Sequence, residues 1–139
     1  MKAKLSTYTL PRPFFGYNIP IAIQSSFMRD YAARSNYQFS LPVTELTTTN
    51  SYLMLTKIIR AERNKPLNLA VCSGFVFPIS NQNLLQSIFF HEDVKEDLSI
   101  HLVLEAKVLD RKSLIEWSKE FTGISNLVGS YNELDQRSE

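Results

Sequence analysis

A chain of 139 residues with 15 Lys and Arg against 14 Asp and Glu has a net charge of +1, which gives no electrostatic pull toward nucleic acid or an anionic membrane. Its 44% hydrophobic content suits one globular domain, and no apolar run approaches the roughly 20 residues of a membrane span. Cys72 is the only cysteine, so an internal disulfide is excluded and a reducing cytoplasm is expected. Lys2 and Lys4 are not followed by an apolar signal-peptide core.

The pattern alternates strand and helix four times. Strand one is expected over Leu5 to Leu10. Next comes the stiff connection Pro11 to Pro20, which holds three of the six prolines and one of the four glycines. Helix one starts near Pro20, whose missing N–H is harmless in a first turn. Its stripe Ile23, Phe27 and Tyr31, supported by Met28 and Ala32, has helical spacing and should face inward. Strand two is expected over Tyr37 to Leu41, stopped by Pro42. Thr47, Thr48, Thr49 and Asn50 offer caps for helix two, with Tyr52, Leu55 and Ile59 on one face.

Strand three, Leu67 to Cys72, and strand four, Leu98 to Leu104, are apolar at nearly every position. Parallel strands covered on both faces read that way. Between them Ser80 should cap helix three, with Leu84, Leu85, Ile88 and Phe89 inward. Asp110 or Ser113 opens helix four, which buries Leu114, Trp117 and Phe121 and ends at Gly123. The expected fold is a single three-layer α/β domain over residues 1–123, with four parallel strands in the order 2-1-3-4 and helices on both faces. Residues 124–139 read as a polar tail, in which Leu127, Val128, Tyr131 and Leu134 offer a short helix.

Several pieces resemble the sporadic carbohydrate cluster proteins, which are encoded in bacterial gene clusters for O-antigen and other surface polysaccharides. They are Arg12-Pro13-Phe14 with Gly16, Ile19-Pro20 with Gln24, Arg29-Asp30-Tyr31, Ser51-Tyr52-Leu53, Phe77-Pro78, and His101 with Leu104-Glu105. The resemblance implies a pathway, surface-carbohydrate biosynthesis, rather than a reaction. Gln24 and Arg29-Asp30-Tyr31-Ala32 are also similar to the first helix of serine recombinase catalytic domains. Phe14 stands where that family has its nucleophilic serine, so the likeness reaches the fold alone.

In an open parallel sheet, ligands bind beyond the carboxyl ends of the strands. The loops there would carry Arg12 and Asn18, then Glu45, then Ser73, then Glu105. Arg12 beside a helix start suits a phosphate or carboxylate, and a surface arginine on loop carbonyls is the other reading. Gln24 faces the crevice or solvent. Phe14, Phe15 and Tyr17 stack on a sugar or base, clamp the loop, or meet another subunit. Glu45 and Glu105 follow strands at one edge and are the pair for general acid–base work.

His91, His101 and Cys72 share no metal-ligand spacing, and no metal or other cofactor is expected. His101 belongs in the core, and Cys72 is buried and inert. Ser73 lacks a nucleophile-elbow motif, and glycine-rich nucleotide fingerprints are absent. Two functions follow. One is a site for a sugar phosphate or nucleotide-sugar, enzymatic or not. The other is a noncatalytic module that supports a carbohydrate-modifying enzyme. Aromatic residues at 12%, several of them in loops, point to a homo-oligomer. Neither nucleic acid nor membrane is expected as a partner.

Overall fold

The computed structural model describes residues 2–14, 16–47, 51–61, 66–91 and 97–121. The strands are β1 (Ala3–Thr9), β2 (Tyr37–Phe39), β3 (Val43–Thr44), β4 (Leu67–Val71), β5 (Leu98–Leu102) and β6 (Lys107–Leu109). The helices are α1 (Ile21–Arg34), α2 (Leu53–Ala61), α3 (Gln82–Phe89) and α4 (Arg111–Lys119), with a 3-10 turn at Gly74–Val76. The chain is thus α/β. Its sheet runs β2-β1-β4-β5-β6, and β3 pairs with β1 beyond β2. The expected four-stranded parallel sheet is corrected: six strands form a mixed sheet, in which β6 is antiparallel to β5.

The two extra strands have separate causes. Pro42 interrupts the second strand instead of ending it. β2 pairs with Ala3 to Leu5, and β3 resumes alongside Tyr8 and Thr9. Pro42 brings no N–H to the ladder, so side chains repair the gap. Thr7 Oγ1 donates to the Ser40 carbonyl at 3.0 Å, and Ser40 Oγ donates to the Leu5 carbonyl at 2.6 Å. At the other edge, the apolar run from Leu98 does not continue as a strand to Leu104. It turns over Val103 to Ala106, with the Ala106 N–H on the Val103 carbonyl and Ala106 at φ 54°. The hydrophobicity of Val103 and Leu104 hid this turn.

One face of the sheet carries the larger core. Tyr8, Leu69, Val71, Ile100 and Leu102 meet Leu55 and Ile59 of α2, Leu85 and Phe89 of α3, and Leu114 and Trp117 of α4. The other face holds Leu5 and Ala70 beneath Met28 and Ala32 of α1. Strands β4 and β5 are therefore not apolar on both sides. Alternation turns Asn68, Ser99 and His101 toward the α1 face. There His101 is buried between Tyr31, which bonds its Nδ1, and Asn68, 3.1 Å from its Nε2.

Helix α1 also departs from its expected orientation. Gln24, Met28 and Ala32 face the sheet, while Ile23 is 47% exposed and Phe27 37% exposed. The buried stripe is rotated by one residue because Gln24 is drawn inward by backbone hydrogen bonds, and Ala32 fits close against Leu5 and Ala70. Asp110 caps α4 as expected, accepting from the Ser113 N–H at 2.7 Å. Asn81, not Ser80, caps α3. Phe15, the cap candidates Thr48, Thr49 and Asn50, Gly123 and the tail at 124–139 lie outside the described residues.

Candidate functional site

Strands β1, β3, β4 and β5 are mutually parallel through their pairings, so their carboxyl ends share one edge of the sheet. Arg12, Glu45, Ser73 and Glu105 each follow one of these strands within three residues. Topology brings them to that edge. Hydrogen bonding then sorts them into two groups.

The first group surrounds the ends of β1 and β3. Phe14 and Tyr17 exchange two backbone hydrogen bonds, at 2.8 and 2.9 Å, around Gly16 at φ 79°. A left-handed residue is needed at that place in so tight a turn. The turn drives Phe14 into the core and leaves Tyr17 65% exposed, with Asn18 exposed beside it. Phe14 therefore clamps the loop and presents no face to a ligand.

Gln24 is completely buried. Its Oε1 accepts from the Leu10 N–H at 3.0 Å, and its Nε2 donates to the carbonyls of Leu10 and Ile19, both at 2.8 Å. The amide thus closes the loop by joining the end of β1 to the start of α1. Both of its N–H donors are taken, so Gln24 shapes the edge from beneath and does not meet a ligand. Arg12 spans the segment after β3. Its guanidinium donates to the Leu46 carbonyl at 3.1 Å and to the Ser51 carbonyl at 2.6 Å, and lies 4.9 Å above the Tyr52 ring. It is held rigid by carbonyls and an aromatic face.

Glu45 is the anchor of this group. Only 2% exposed, it accepts from the Tyr8 hydroxyl at 2.9 Å and from the N–H groups of Leu46, Met54 and Leu55. Met54 and Leu55 lie in the first turn of α2, so a carboxylate from a neighbouring strand end satisfies this helix start. Burial and the Glu45 charge hold the Tyr8 phenol protonated, well above its ordinary range. Both Glu45 oxygens are occupied, which suits an anchor and not a proton-transfer group.

The second group surrounds the ends of β4 and β5. Beyond β5, the N–H groups of Val103 and Leu104 bond the carbonyls of Val71 and Cys72 at 3.1 and 2.8 Å. This pairing carries the following turn back over β4. There Glu105 Oε1 accepts from Ser73 Oγ at 3.0 Å and from the Gly74 N–H. Ser73 Oγ also accepts from the Phe75 N–H at 3.2 Å. Oε2 of the half-buried Glu105 has no partner among the described residues. Of the two carboxylates expected to act as a pair, Glu105 alone keeps an oxygen without a hydrogen-bond partner among the described residues. Burial first, and then the Glu105 charge, push the Cys72 thiol up to about 12, so it stays protonated.

The polar chain Tyr31–His101–Asn68 was not visible as a unit from the sequence. Asn68 Oδ1 accepts from His101 Nε2–H, which leaves Nδ1 to accept from the Tyr31 hydroxyl. Burial lowers the His101 pKa and raises that of Tyr31, so each stays neutral near pH 7. The available signal was the alternation of Ser99 and His101 with apolar neighbours in β5.

Among the described residues, no group of three or more His, Cys, Asp or Glu is placed to hold a metal ion, and no helix is long and apolar enough to cross a membrane. Comparison with protein-family models, with curated proteins and with solved structures finds no match.

Proposed function

We propose that this protein binds a sugar phosphate or nucleotide-sugar at the carboxyl edge of its sheet, as an accessory protein or small enzyme of bacterial surface-carbohydrate biosynthesis in the cytoplasm. The observation that supports the site is its preorganisation. Arg12 is fixed at the end of β1 by two carbonyls and the Tyr52 ring, and Glu105 is fixed at the end of β5 by Ser73 and Gly74. Groups already held in place lose little entropy when a ligand arrives. The ligand class comes from the resemblance of the Arg12–Gln24 and Leu104–Glu105 segments to carbohydrate-cluster proteins. Thermal unfolding with a panel of sugar phosphates and nucleotide-sugars tests this reading. A ligand present at about 100 times its Kd stabilises by about 2.7 kcal/mol, a readable rise in Tm. A panel that moves Tm nowhere rejects the reading.

A second reading is a noncatalytic module, either self-associating or docked on a carbohydrate enzyme. It is favoured by Ile23 and Phe27, which stand one helical turn apart on α1 and are both exposed. Light scattering of wild type and Phe27→Lys checks it. A multimer dispersed by the substitution supports association through α1. A monomer that captures no carbohydrate-cluster enzyme on co-expression rejects this second reading.

A further inference from the structure

We infer that β6 is a docking edge for a second copy of this chain, which pairs antiparallel to it across a twofold axis at Val108. β6 is the outer strand of the sheet, and among the described residues nothing pairs with its far side. Its neighbours decide which main-chain groups it turns outward. Val103 donates its N–H to the Val71 carbonyl of β4 at 3.1 Å. Main-chain groups alternate along a strand, so His101 also turns its own toward β4, while Ile100 and Leu102 turn theirs toward β6. The residues opposite these two, Leu109 and Lys107, therefore bond back to β5. Val108, opposite His101, is left with its N–H and C=O directed out of the edge.

The same groups fix the register. Residues that face each other in an antiparallel pair can exchange both hydrogen bonds, so Val108 against Val108 of the second copy satisfies every outward group. A centre at Lys107 or Leu109 fails. It would set Val108 against Ala106, whose N–H is taken by the Val103 carbonyl, or against Asp110, whose carbonyl accepts from the Leu114 N–H. A centre at Lys107 would also oppose two lysines. Edges kept from pairing carry a charge, a proline or a bulge where their groups point outward, and here that place is held by Val108, 57% exposed.

Two hydrogen bonds alone hold no stable dimer, and the flanks supply the rest. With Val108 at the centre, Leu104 at the turn end of one copy lies level with Lys112 of the other. Leu104 is 50% exposed. At Lys112 opens a cavity of about 290 Å³, lined by Phe90, Asp110, Arg111 and Lys112. Its aromatic wall, Phe90, is 42% exposed. An apolar knob thus meets a partly aromatic hollow, and twofold symmetry repeats the contact at the other end. The charges agree. By main-chain register Glu105 is level with Arg111 of the second copy, and Lys107 is one residue from its Asp110, so unlike charges meet at both ends. An edge complementary to itself in bonding, shape and charge selects a second copy over an unrelated strand.

Sedimentation equilibrium of the full chain tests the inference. Wild type is expected to show a mass of two chains. Val108→Glu and Val108→Lys each set like charges against each other on the axis, and each should weaken the dimer by about tenfold or more. Mixed in equal amounts, the two variants should form a dimer again, because only the mixture brings Glu against Lys. Damage to the fold by either substitution would not be rescued in this way. Leu104→Asp, at an exposed position of the turn, should also weaken association, and it carries the test if a Val108 variant lowers Tm. A wild type that stays monomeric at a concentration on the order of 1 mM overturns the inference. A dimer that these variants leave intact overturns it as well. So does a dimer dispersed by Phe27→Lys alone, which assigns association to α1.

Discussion

Gly74 lies so close beneath the indole of Trp117 that a Cβ built on it would stand 2.5 Å from Cη2 and 2.6 Å from Cζ3. The same atom would meet Leu102 Cδ1 at 3.0 Å. Absence of a side chain at Gly74 thus lets α4 seat its tryptophan over the end of β4, where the Gly74 N–H also holds Glu105. Gly74→Ala should force the indole aside, with an overpacking cost of about 1–3 kcal/mol and a changed Trp117 emission. Trp117→Ala empties the same space and should cost about 3–5 kcal/mol. Urea unfolding of both variants checks the pair, and a loss below about 1 kcal/mol in Trp117→Ala would contradict the packing.

Glu45 is expected to behave as a structural residue. Glu45→Ala strips partners from the buried Tyr8 hydroxyl and from the first N–H groups of α2. Stability should fall by about 2–3 kcal/mol. Glu45→Gln does not rescue it fully, because an amide NH2 cannot accept from those N–H groups. Denaturant melts of the two variants decide the matter, and unchanged midpoints would free Glu45 for another role.

Gln24 closes the Pro11–Pro20 loop through three hydrogen bonds to main chain. Gln24→Leu keeps the bulk and removes the bonds, leaving the Leu10 N–H and the carbonyls of Leu10 and Ile19 without them. A loss of about 2 kcal/mol is expected. Amide hydrogen exchange should rise at Leu10 and through the loop, and leave the α3–α4 side unchanged. Uniform exchange across the chain would show that the clamp is not local.

His101 should make the fold acid-sensitive. Burial depresses its pKa below the ordinary 6.5. The unfolded chain then binds the proton more readily than the folded one, so stability rises with pH across the interval between the two values. The contribution is fully present above about 6.5 and is lost as pH falls through the lower, folded pKa. Melting wild type and His101→Gln at pH 7.5 and 5.5 isolates it. Wild type should lose more Tm on acidification than the variant, and equal losses would assign the acid effect elsewhere.

Ala106 holds a conformation that alanine disfavours, at φ 54°. Ala106→Gly relieves about 1 kcal/mol of this strain, partly offset by the greater freedom of glycine in the unfolded chain. A small rise in Tm is expected. A fall would show that the Ala106 methyl makes contacts worth more than the strain.

Local pattern and charge carry one part of this fold. The runs at β1, β4 and β5, the helices between them and the Asp110 cap follow from apolar spacing and capping chemistry, which act over a few residues. The strand-end loops bearing Arg12, Glu45, Ser73 and Glu105 follow from the alternation of those elements. Other features depend on which surfaces meet once the chain is folded, and no local pattern carries them. Ile23 and Phe27 are the hydrophobic residues of that stripe, yet Gln24 is buried because the main chain of Leu10, fourteen residues away in sequence, and of nearby Ile19 completes its hydrogen bonds. Pro42 reads as a stop, yet the strand resumes because Thr7 and Ser40 bridge the gap with side chains. Glu45 and Glu105 are alike in sequence context. What separates them is the number of donors each meets: the start of α2 and Tyr8 fill Glu45, while Ser73 and Gly74 fill one oxygen of Glu105.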